Sequence, residues 1–242
     1  MPLAIFDLDE TLVCGDCSSR FCEYLERTGL IDAPGFVEGE RALMDDYRQQ
    51  RLSMEAYIAF ILAPLATMSA DQIATLMPTF VDRCISDHIY PQALALLNAH
   101  HRRGDRILII SASADFIVQA VAESLGVRDV LAIDLERTPE GHYSGHIRGV
   151  PSYREGKVVR LHAWLEQQSE TLAGAYFYSD SINDLPLLER VDNPVATNPD
   201  RCLAELANRR GWPVLDWRHQ YGADPATADF DVILPKIKTL SG

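Results

Sequence analysis

Two carboxylates lie two residues apart near the start of the chain, where Asp7 and Asp9 stand in the sequence DLDET. In extended backbone, side chains two residues apart point to the same side. Like charges held that close are unfavourable unless a cation neutralises them or one of them carries a proton. Mg²⁺ is a hard cation that takes carboxylate, carbonyl and water oxygens, so the pair indicates a metal site. The alternative is an acidic turn that faces solvent.

A second acidic cluster, SDSIND, contains Asp180 and Asp184 and directly follows the strand-like sequence AYFY. One of these residues could serve only as a helix cap, because Asp and Asn are common at that position. A cap needs one such residue, whereas this loop has three. Ligands of an open parallel sheet lie at the carboxyl ends of its strands. We therefore expect the two acidic clusters to converge on one metal.

Two further residues occupy positions from which they could hold an anion. Lys157 lies early in a predicted helix, and Ser111 directly follows the buried run Ile107–Ile110. Each has an ordinary alternative, because most lysines lie on the surface and a serine after a strand is often a turn or cap residue. Alone, neither residue is a specific signal.

Hydrophobic patterns predict the elements that must position these side chains. Residues 3–8 read as a buried parallel strand, and residues 17–88 have helical spacing with no convincing strand. Beyond Pro91, strands and helices alternate. The predicted strands are Arg106–Ile110, Val130–Leu135 and Ala175–Tyr178, with short ones near Val195 and Val214; the predicted helices are 91–104, 115–125, 152–167 and 183–191, with a hairpin over 138–147. Such alternation is typical of an α/β fold, a parallel sheet with helices on both faces.

The chain length fits one large domain that carries an insertion. The sequence has 242 residues, and domains average roughly 150. We predict a core made of residues 1–16 and 89–242, and a helical cap made of residues 17–88, inserted after the first strand. The sequence predicts no role for the segment after residue 217.

Charge and composition exclude several classes of protein. With 22 Lys and Arg against 35 Asp and Glu, the formal charge is -13. Such a balance argues against binding to nucleic acid, which needs a cationic surface, and against binding to an anionic membrane. No apolar run is long enough for a transmembrane helix, and the N-terminus does not read as a signal peptide. The five scattered cysteines favour reduced thiols in a cytoplasm.

The pair Cys14 and Cys17 has the spacing of a redox motif or of half a zinc site. A redox pair should open a helix after a strand, and a structural zinc site needs a second pair of ligands. The sequence supplies neither context. We therefore interpret both cysteines as ordinary small residues of a loop.

Taken together, the two acidic clusters, Ser111 and Lys157 resemble the four motifs of the haloacid dehalogenase superfamily, which consists mostly of phosphatases. The first motif, DxDx[TV], matches Asp7, Asp9 and Thr11, and the second, a Ser or Thr after a strand, matches Ser111. The third, a Lys at the start of a helix, matches Lys157, and the fourth, here SDSINDLPLL, matches Asp180 and Asp184. The fourth motif and the helical insertion look like subfamily IB, the phosphoserine-phosphatase-like branch. The resemblance implies a Rossmann-like core with a C1-type cap.

The resemblance also implies a mechanism. Asp7 would be the nucleophile that forms an aspartyl-phosphate, and Asp9 would be the general acid and base. Mg²⁺ would be bound by Asp7, the Asp9 carbonyl, Asp180 and, less directly, Asp184. Lys157 and Ser111 would hold the phosphoryl oxygens, helped by backbone N–H groups near Ala112.

For the substrate, the resemblance implies a small phosphorylated metabolite selected by the cap. Relatives often carry an acid after the first motif that meets an amine of the substrate. Asp16 is the nearest candidate and Arg20 a second, unless both are solvated loop charges. An amine would suit phosphoserine or histidinol phosphate. However, phosphoserine phosphatases more often have Glu in this segment and Ser-Gly-Gly in the second motif, where this chain has Ser-Ala-Ser.

Alternatives to a phosphatase remain open at this point. The same aspartyl-phosphate would serve a phosphotransferase or a phosphomutase, in which an alcohol accepts the phosphoryl group instead of water. A catalytically silent, metal-binding regulatory module is disfavoured because the positions of both Asp7 and Asp9 are intact. A dinucleotide-binding protein is disfavoured because no G-x-G-x-x-G follows the first strand. The sequence does not determine the oligomeric state.

Overall fold

The computed structural model describes residues 2–49, 51–218 and 234. Most of the segment after residue 217, for which the sequence predicts no role, lies outside these residues. In chain order, the strands are β1 (Leu3–Phe6), β2 (Arg106–Ala114), β3 (Asp129–Ile133), β4 (Leu135–Arg137), β5 (Tyr143–Ile147), β6 (Tyr176–Ser179), β7 (Asn193–Thr197) and β8 (Val214–Leu215). The α-helices are α1 (Cys17–Thr28), α2 (Phe36–Arg48), α3 (Met54–Leu62), α4 (Ala70–Phe80), α5 (Pro91–Arg103), α6 (Asp115–Ser124), α7 (Glu155–Gln168), α8 (Leu185–Leu188) and α9 (Arg201–Arg210).

The described strands form one parallel sheet of six, in the order β3-β2-β1-β6-β7-β8, and a separate antiparallel pair of β4 and β5. In the main sheet, β1 pairs with β2 on one side and with β6 on the other. The strand order therefore reverses at β1, and a crevice for ligands opens at the carboxyl ends there. The α/β fold with a Rossmann-like core is confirmed.

Both faces of the sheet are buried, because alternate side chains of each strand enter two different hydrophobic clusters. Phe6, Ile109 and Tyr178 pack on the side that holds α5, α6 and the cap helices. Ile5, Leu108 and Phe177 pack on the side of α7, α8 and α9. This burial fixes the strands, and thereby the loops that follow their carboxyl ends.

The cap consists of α1 to α4 and returns to the core through a π-helical turn, Val81–Ile85, and a 3-10 turn, Ser86–His88. A capping box begins α4, in which the Ser69 side chain accepts from the Gln72 N–H and the Gln72 side chain accepts from the Ser69 N–H. The hairpin of β4 and β5 contacts this cap, since the Ala70 N–H donates to the Gly141 carbonyl at 2.8 Å. The two chain segments that connect cap and core pair through Val13 and Ile89. We call residues 12–14 and 88–90 the hinge.

Several element boundaries differ from the prediction. The strand predicted over Val130–Leu135 ends at Ile133, and Leu135 begins β4. Three further differences lie near the crevice. Strand β2 continues beyond Ile110 to Ala114, with a shift of register against β3 over that stretch, so Ser111 lies inside the strand. Helix α7 begins only at Glu155, because the preceding Arg154 has a left-handed φ of 52°. The helix predicted over 183–191 is a 3-10 turn followed by the four-residue α8, which starts beside Pro186.

The turn before α7 is tight and depends on glycine. A Cβ at Gly156 would collide with the Pro151 carbonyl oxygen. Only glycine allows this close approach of two backbone segments, and the next residue along the chain is Lys157. The turn thus aims the first turn of α7 at the crevice.

Among the described residues, no helix has both the length and the apolar character needed to cross a membrane.

Candidate active site

The carboxyl ends of β1, β2 and β6 border a cavity of about 340 Å³. On the core side, its lining includes Asp7, Asp9, Ser111, Ala112 and Asp180. The sequence-predicted residues from three separate motifs therefore meet in one place. On the cap side, the lining is largely apolar and comprises Met44, Leu52, Met54 and Tyr57.

Lys157 is the central cation of the site. Its ammonium donates to Asp7 Oδ1 and to Asp184 Oδ2, each at 2.8 Å, and the residue is only 2% exposed. Burial by itself would lower the pKa of Lys157, but attraction from Asp184 and Asp7 outweighs burial and raises that pKa. Lys157 therefore stays charged and holds Asp7 through Oδ1.

The fourth motif contributes two carboxylates with different surroundings. Asp184 accepts from Ser179 Oγ at 2.7 Å as well as from Lys157. Burial raises the pKa of Asp184 to about 6, although Lys157 opposes that shift. Asp180 Oδ1 accepts a long hydrogen bond from Thr11 Oγ1, at 3.4 Å. Burial and repulsion from Asp7 and Asp184 raise the pKa of Asp180 well above its ordinary value.

Asp9 is held by a donor on each carboxylate oxygen. The Cys17 N–H donates to Oδ1 at 2.7 Å, and Ser113 Oγ donates to Oδ2 at 2.8 Å. Burial, with repulsion from Asp16 and Asp7, raises the pKa of Asp9 to about 7 although the hydrogen bonds oppose it. A carboxyl group with that pKa can both give and take a proton near neutral pH.

The second motif is ordered by hydrogen bonds of its own. Ser111 Oγ accepts from the Ser113 N–H at 3.1 Å, and the Ser111 carbonyl accepts from Ser152 Oγ at 2.5 Å. Ser111 is buried, and Ala112 beside it also borders the cavity. The Ser111 hydroxyl therefore has a fixed position from which its hydrogen can be donated into the cavity.

The site carries more negative charge than its lysine balances. The site holds four carboxylates, those of Asp7, Asp9, Asp180 and Asp184, and one ammonium, which contacts Asp7 and Asp184. Repulsion between the carboxylates contributes to the raised pKa values of Asp9, Asp180 and Asp184. In the described part of the chain, no three His, Cys, Asp or Glu side chains converge as a metal cage. Mg²⁺ does not need one, because it is commonly bound by one or two carboxylates and keeps several waters. The donors present therefore fit Mg²⁺.

Of the three predicted substrate-binding residues, Ala112 borders the cavity, and the other two have different positions. Asp16 borders the cavity and also caps α1, accepting from the Ser19 N–H at 2.7 Å. Burial raises the pKa of Asp16. Arg20 instead turns to the hinge, where its Nη2 donates to the Cys14 carbonyl at 3.0 Å. Within the described residues, the structure brings Asp16 to the cavity and leaves Arg20 outside its lining.

Sequence reasoning missed Ser113 and Asp200. Ser113 bonds Asp9 and lines the cavity together with Ser111 and Ala112. The predicted strand ended at Ile110, so no local pattern placed Ser113 at the site. Asp200 caps α9 and its Oδ2 also accepts from the Ile182 N–H at 2.7 Å, which holds the loop of the fourth motif. The turn sequence Asn-Pro-Asp before α9 was the signal for this second residue.

Cys14 lies in a loop, as predicted, whereas Cys17 is the first residue of α1, so the prediction of a loop position is wrong for Cys17. All five cysteines are free, and Cys17 is fully buried. Burial, with repulsion from Asp9, raises the pKa of the Cys17 thiol well above its ordinary value. A thiol of this kind is not a reactive thiolate.

Known proteins resemble this chain over most of its length. A histidinol-phosphatase of Neisseria meningitidis serogroup C (strain 8013) is 40% identical over 219 residues, which cover 89% of this chain and 99% of that protein. A crystal structure of a protein with unknown function from Bordetella pertussis Tohama I has a TM-score of 0.82 at 38% identity, and the match covers 89% of this chain and 98% of that one.

A substrate-bound phosphoserine phosphatase structure has a TM-score of 0.65 at 17% identity, covering 88% of this chain and 92% of that one; this match concerns the fold alone. The profile of haloacid dehalogenase-like hydrolases matches residues 4–189, a span that contains every residue of the four motifs. The chain therefore belongs to the haloacid dehalogenase-like hydrolase family, as one of its phosphatases.

Proposed function

We propose that this enzyme hydrolyses a small phosphate monoester through an aspartyl-phosphate on Asp7, with Mg²⁺ as cofactor. The observation that carries the proposal is the pairing of two different carboxylates in one cavity. Asp7 is fixed by Lys157 through a single oxygen, whereas Asp9 has a pKa near 7. One carboxylate is thus suited to attack, and the other is suited to move protons.

The first step breaks the bond between phosphorus and the leaving alcohol. Asp7 Oδ2 attacks phosphorus in line, and Asp9 gives its proton to the departing alkoxide oxygen. In the second step Asp9 takes a proton from a water molecule, which attacks the same phosphorus and releases inorganic phosphate from Asp7. Lys157 and Ser111 stabilise charge on the phosphoryl oxygens in both steps.

Asp7, the Asp9 carbonyl and Asp180 are the groups that would hold the cation. Mg²⁺ at this position supplies positive charge that offsets repulsion between the Asp7 carboxylate and the phosphate. Asp184 would act indirectly, because Oδ2 of Asp184 is already taken by Lys157 and Ser179. Its task is to orient Lys157 and the loop that carries Asp180.

The charges around the cavity favour a cationic leaving group. Glu10, Asp16 and Asp200 line the cavity in addition to the catalytic carboxylates. Lys157 is buried and does not belong to the lining. Among the described residues of the lining, the positively charged one is Arg201, whose side chain is 91% exposed and paired with Glu205. A substrate carboxylate would find repulsion here, whereas an amine would be attracted. We infer an amino-bearing ester without a carboxylate.

The cap side of the cavity favours a partly apolar leaving group. Met44, Leu52, Met54 and Tyr57 offer hydrocarbon, thioether and ring surface opposite the phosphate-binding residues. Methionine adapts to irregular or aromatic shapes. Histidinol phosphate has the amine, lacks the carboxylate and carries a flat ring, and the relative at 40% identity bears the name histidinol-phosphatase. We propose histidinol phosphate or a close analogue, ahead of phosphoserine.

The proposal is tested by incubating the purified protein with a panel of small phosphate esters and Mg²⁺, and measuring free phosphate. We expect histidinol phosphate to be turned over faster than phosphoserine, and EDTA to abolish turnover until excess Mg²⁺ restores it. Comparing the products formed with and without an added water-soluble alcohol separates hydrolysis from phosphotransfer. Hydrolysis yields free phosphate, whereas phosphotransfer yields a phosphorylated alcohol. If no ester releases phosphate under these conditions, the proposed function is wrong.

Replacing Asp16 by Asn should test the recognition of the amine. Asp16 both lines the cavity and caps α1, and Asn is an equally good cap. Asp16→Asn therefore removes the charge but keeps the helix start, which Asp16→Ala would not. We expect KM for histidinol phosphate to rise by about tenfold, the loss of one charge-assisted contact, with little change for p-nitrophenyl phosphate. Equal changes of KM for both esters would remove Asp16 from substrate recognition.

We also propose the division into a core of residues 1–16 and 89–242 and a cap of residues 17–88. The paired hinge residues Val13 and Ile89 support boundaries near these positions. A cytoplasmic location is part of the same proposal and is supported by the five free thiols. The net charge of -13 supports a small metabolite rather than a nucleic acid as partner.

A further inference from the structure

We propose that Ser113 is a positioning residue for Asp9 and fixes the orientation in which the Asp9 carboxyl group meets the leaving alcohol. The inference rests on the proposed function, because it takes Asp9 as the general acid. Ser113 lies two residues beyond Ser111 on the same side of β2 and is 5% exposed. Its hydroxyl reaches Asp9 Oδ2 at 2.8 Å.

The two oxygens of Asp9 accept hydrogen bonds from two different parts of the chain. The backbone N–H of Cys17 donates to Oδ1, and the Ser113 hydroxyl donates to Oδ2. With a donor on each oxygen, the plane of the Asp9 carboxyl group is fixed relative to the cavity that Asp9 lines.

The orientation of the Ser113 hydroxyl is itself determined by neighbours. Ser18 Oγ donates to Ser113 Oγ at 3.2 Å, so the hydrogen of Ser113 is directed to Asp9. The Ser113 N–H donates to Ser111 Oγ at 3.1 Å, which fixes the backbone from which the side chain projects. Hydrogen bonds that run in one direction reinforce each other in a buried site.

The hydrogen bonds that hold Asp9 connect the cap to the core. Cys17 and Ser18 are the first two residues of α1, where the cap begins, whereas Ser113 belongs to the core sheet. Asp9 is therefore fully ordered only when the start of the cap is seated on β2. Ser113 is the core's contribution to that contact.

The experiment compares Ser113→Ala with wild-type enzyme on esters whose leaving groups differ in basicity. A poor leaving group such as an alkyl alcohol needs the proton from Asp9, whereas p-nitrophenol leaves without it. We expect kcat/KM for histidinol phosphate or glycerol phosphate to fall by on the order of a hundredfold, and kcat/KM for p-nitrophenyl phosphate to change by less than about threefold. Ser113→Thr, which keeps the hydroxyl, should retain most of the activity on the alkyl esters.

Two further variants guard the interpretation. Ser113→Cys keeps the volume but is a weak donor, and should show the same dependence on the leaving group even if Ser113→Ala folds poorly. Ser124→Ala removes a serine hydroxyl that bonds the Val121 carbonyl on α6, outside the cavity, and should match wild type on every ester. An equal loss on alkyl and aryl esters, or no loss on either, would overturn the role of Ser113. If wild-type enzyme hydrolyses none of the esters, the proposed function itself fails.

Discussion

Replacement of Asp7 by Asn is expected to lower kcat by at least a few hundredfold, the scale of losing an essential catalytic group. The amide is nearly the same size as the carboxylate and can still accept the hydrogen bond that Lys157 now gives to Oδ1. The fold should therefore survive, while the oxygen that would attack phosphorus is replaced by an amide nitrogen, which is not a nucleophile.

The measurement has two parts, steady-state phosphate release and capture of the covalent intermediate. After acid quench with a ³²P-labelled ester, wild-type protein should retain label, and Asp7→Asn protein should not. Asp82→Asn, which changes an exposed carboxylate on the cap, is the matched control and should behave like wild type. Near-normal turnover by Asp7→Asn would exclude the aspartyl-phosphate mechanism.

Replacement of Lys157 by Met should reduce both activity and stability. Met fills a similar volume, but Asp7 and Asp184 would lose their shared cation in a buried site. Removing one partner of a buried ion pair costs about 3–5 kcal/mol of unfolding free energy. We expect kcat to fall at least a hundredfold as well, because the phosphoryl oxygens lose a preorganised cation.

A double variant separates the two effects. In the Lys157→Met background, Asp184→Asn removes one uncompensated charge, so urea unfolding should recover part of the lost free energy while kcat stays low. Coupled behaviour of this kind is expected for residues in direct contact. If Lys157→Met unfolds at the same urea concentration as wild type, the buried ion pairs contribute little to stability, and this part of the interpretation is wrong.

The sequence predicted the strand-end carboxylates because each follows a strand whose periodicity is visible in a few neighbouring residues, and a parallel sheet brings strand ends together. Lys157 is not a specific signal by itself. It could be predicted because it stands with Ser111 and the two acidic clusters in the order of the four motifs.

The remaining features depend on contacts that local patterns do not encode. The extension of β2 to Ala114 arises from its pairing with β3, and it brings Ser113 to Asp9. The turn of Arg20 toward the hinge depends on how α1 packs beside Cys14. The late start of α7 follows from the left-handed backbone at Arg154, which no sequence rule would assign to an arginine.

The geometry of the hinge makes it easy to remove the cap or to exchange it for another one. The Cys14 N–H donates to the His88 carbonyl at 2.8 Å, and the Tyr90 N–H donates to the Leu12 carbonyl at 3.0 Å. The two ends of the insertion are thus already side by side, as in the loops where whole domains are inserted or deleted with little damage. A short turn joining residues 14 and 88 should close the core without strain. A transplanted cap, by contrast, would have to begin with a helix whose first turn supplies a backbone N–H to Asp9 and a hydroxyl to Ser113, as Cys17 and Ser18 do here. We therefore expect most of the cap to be replaced in evolution more freely than the first turn of α1.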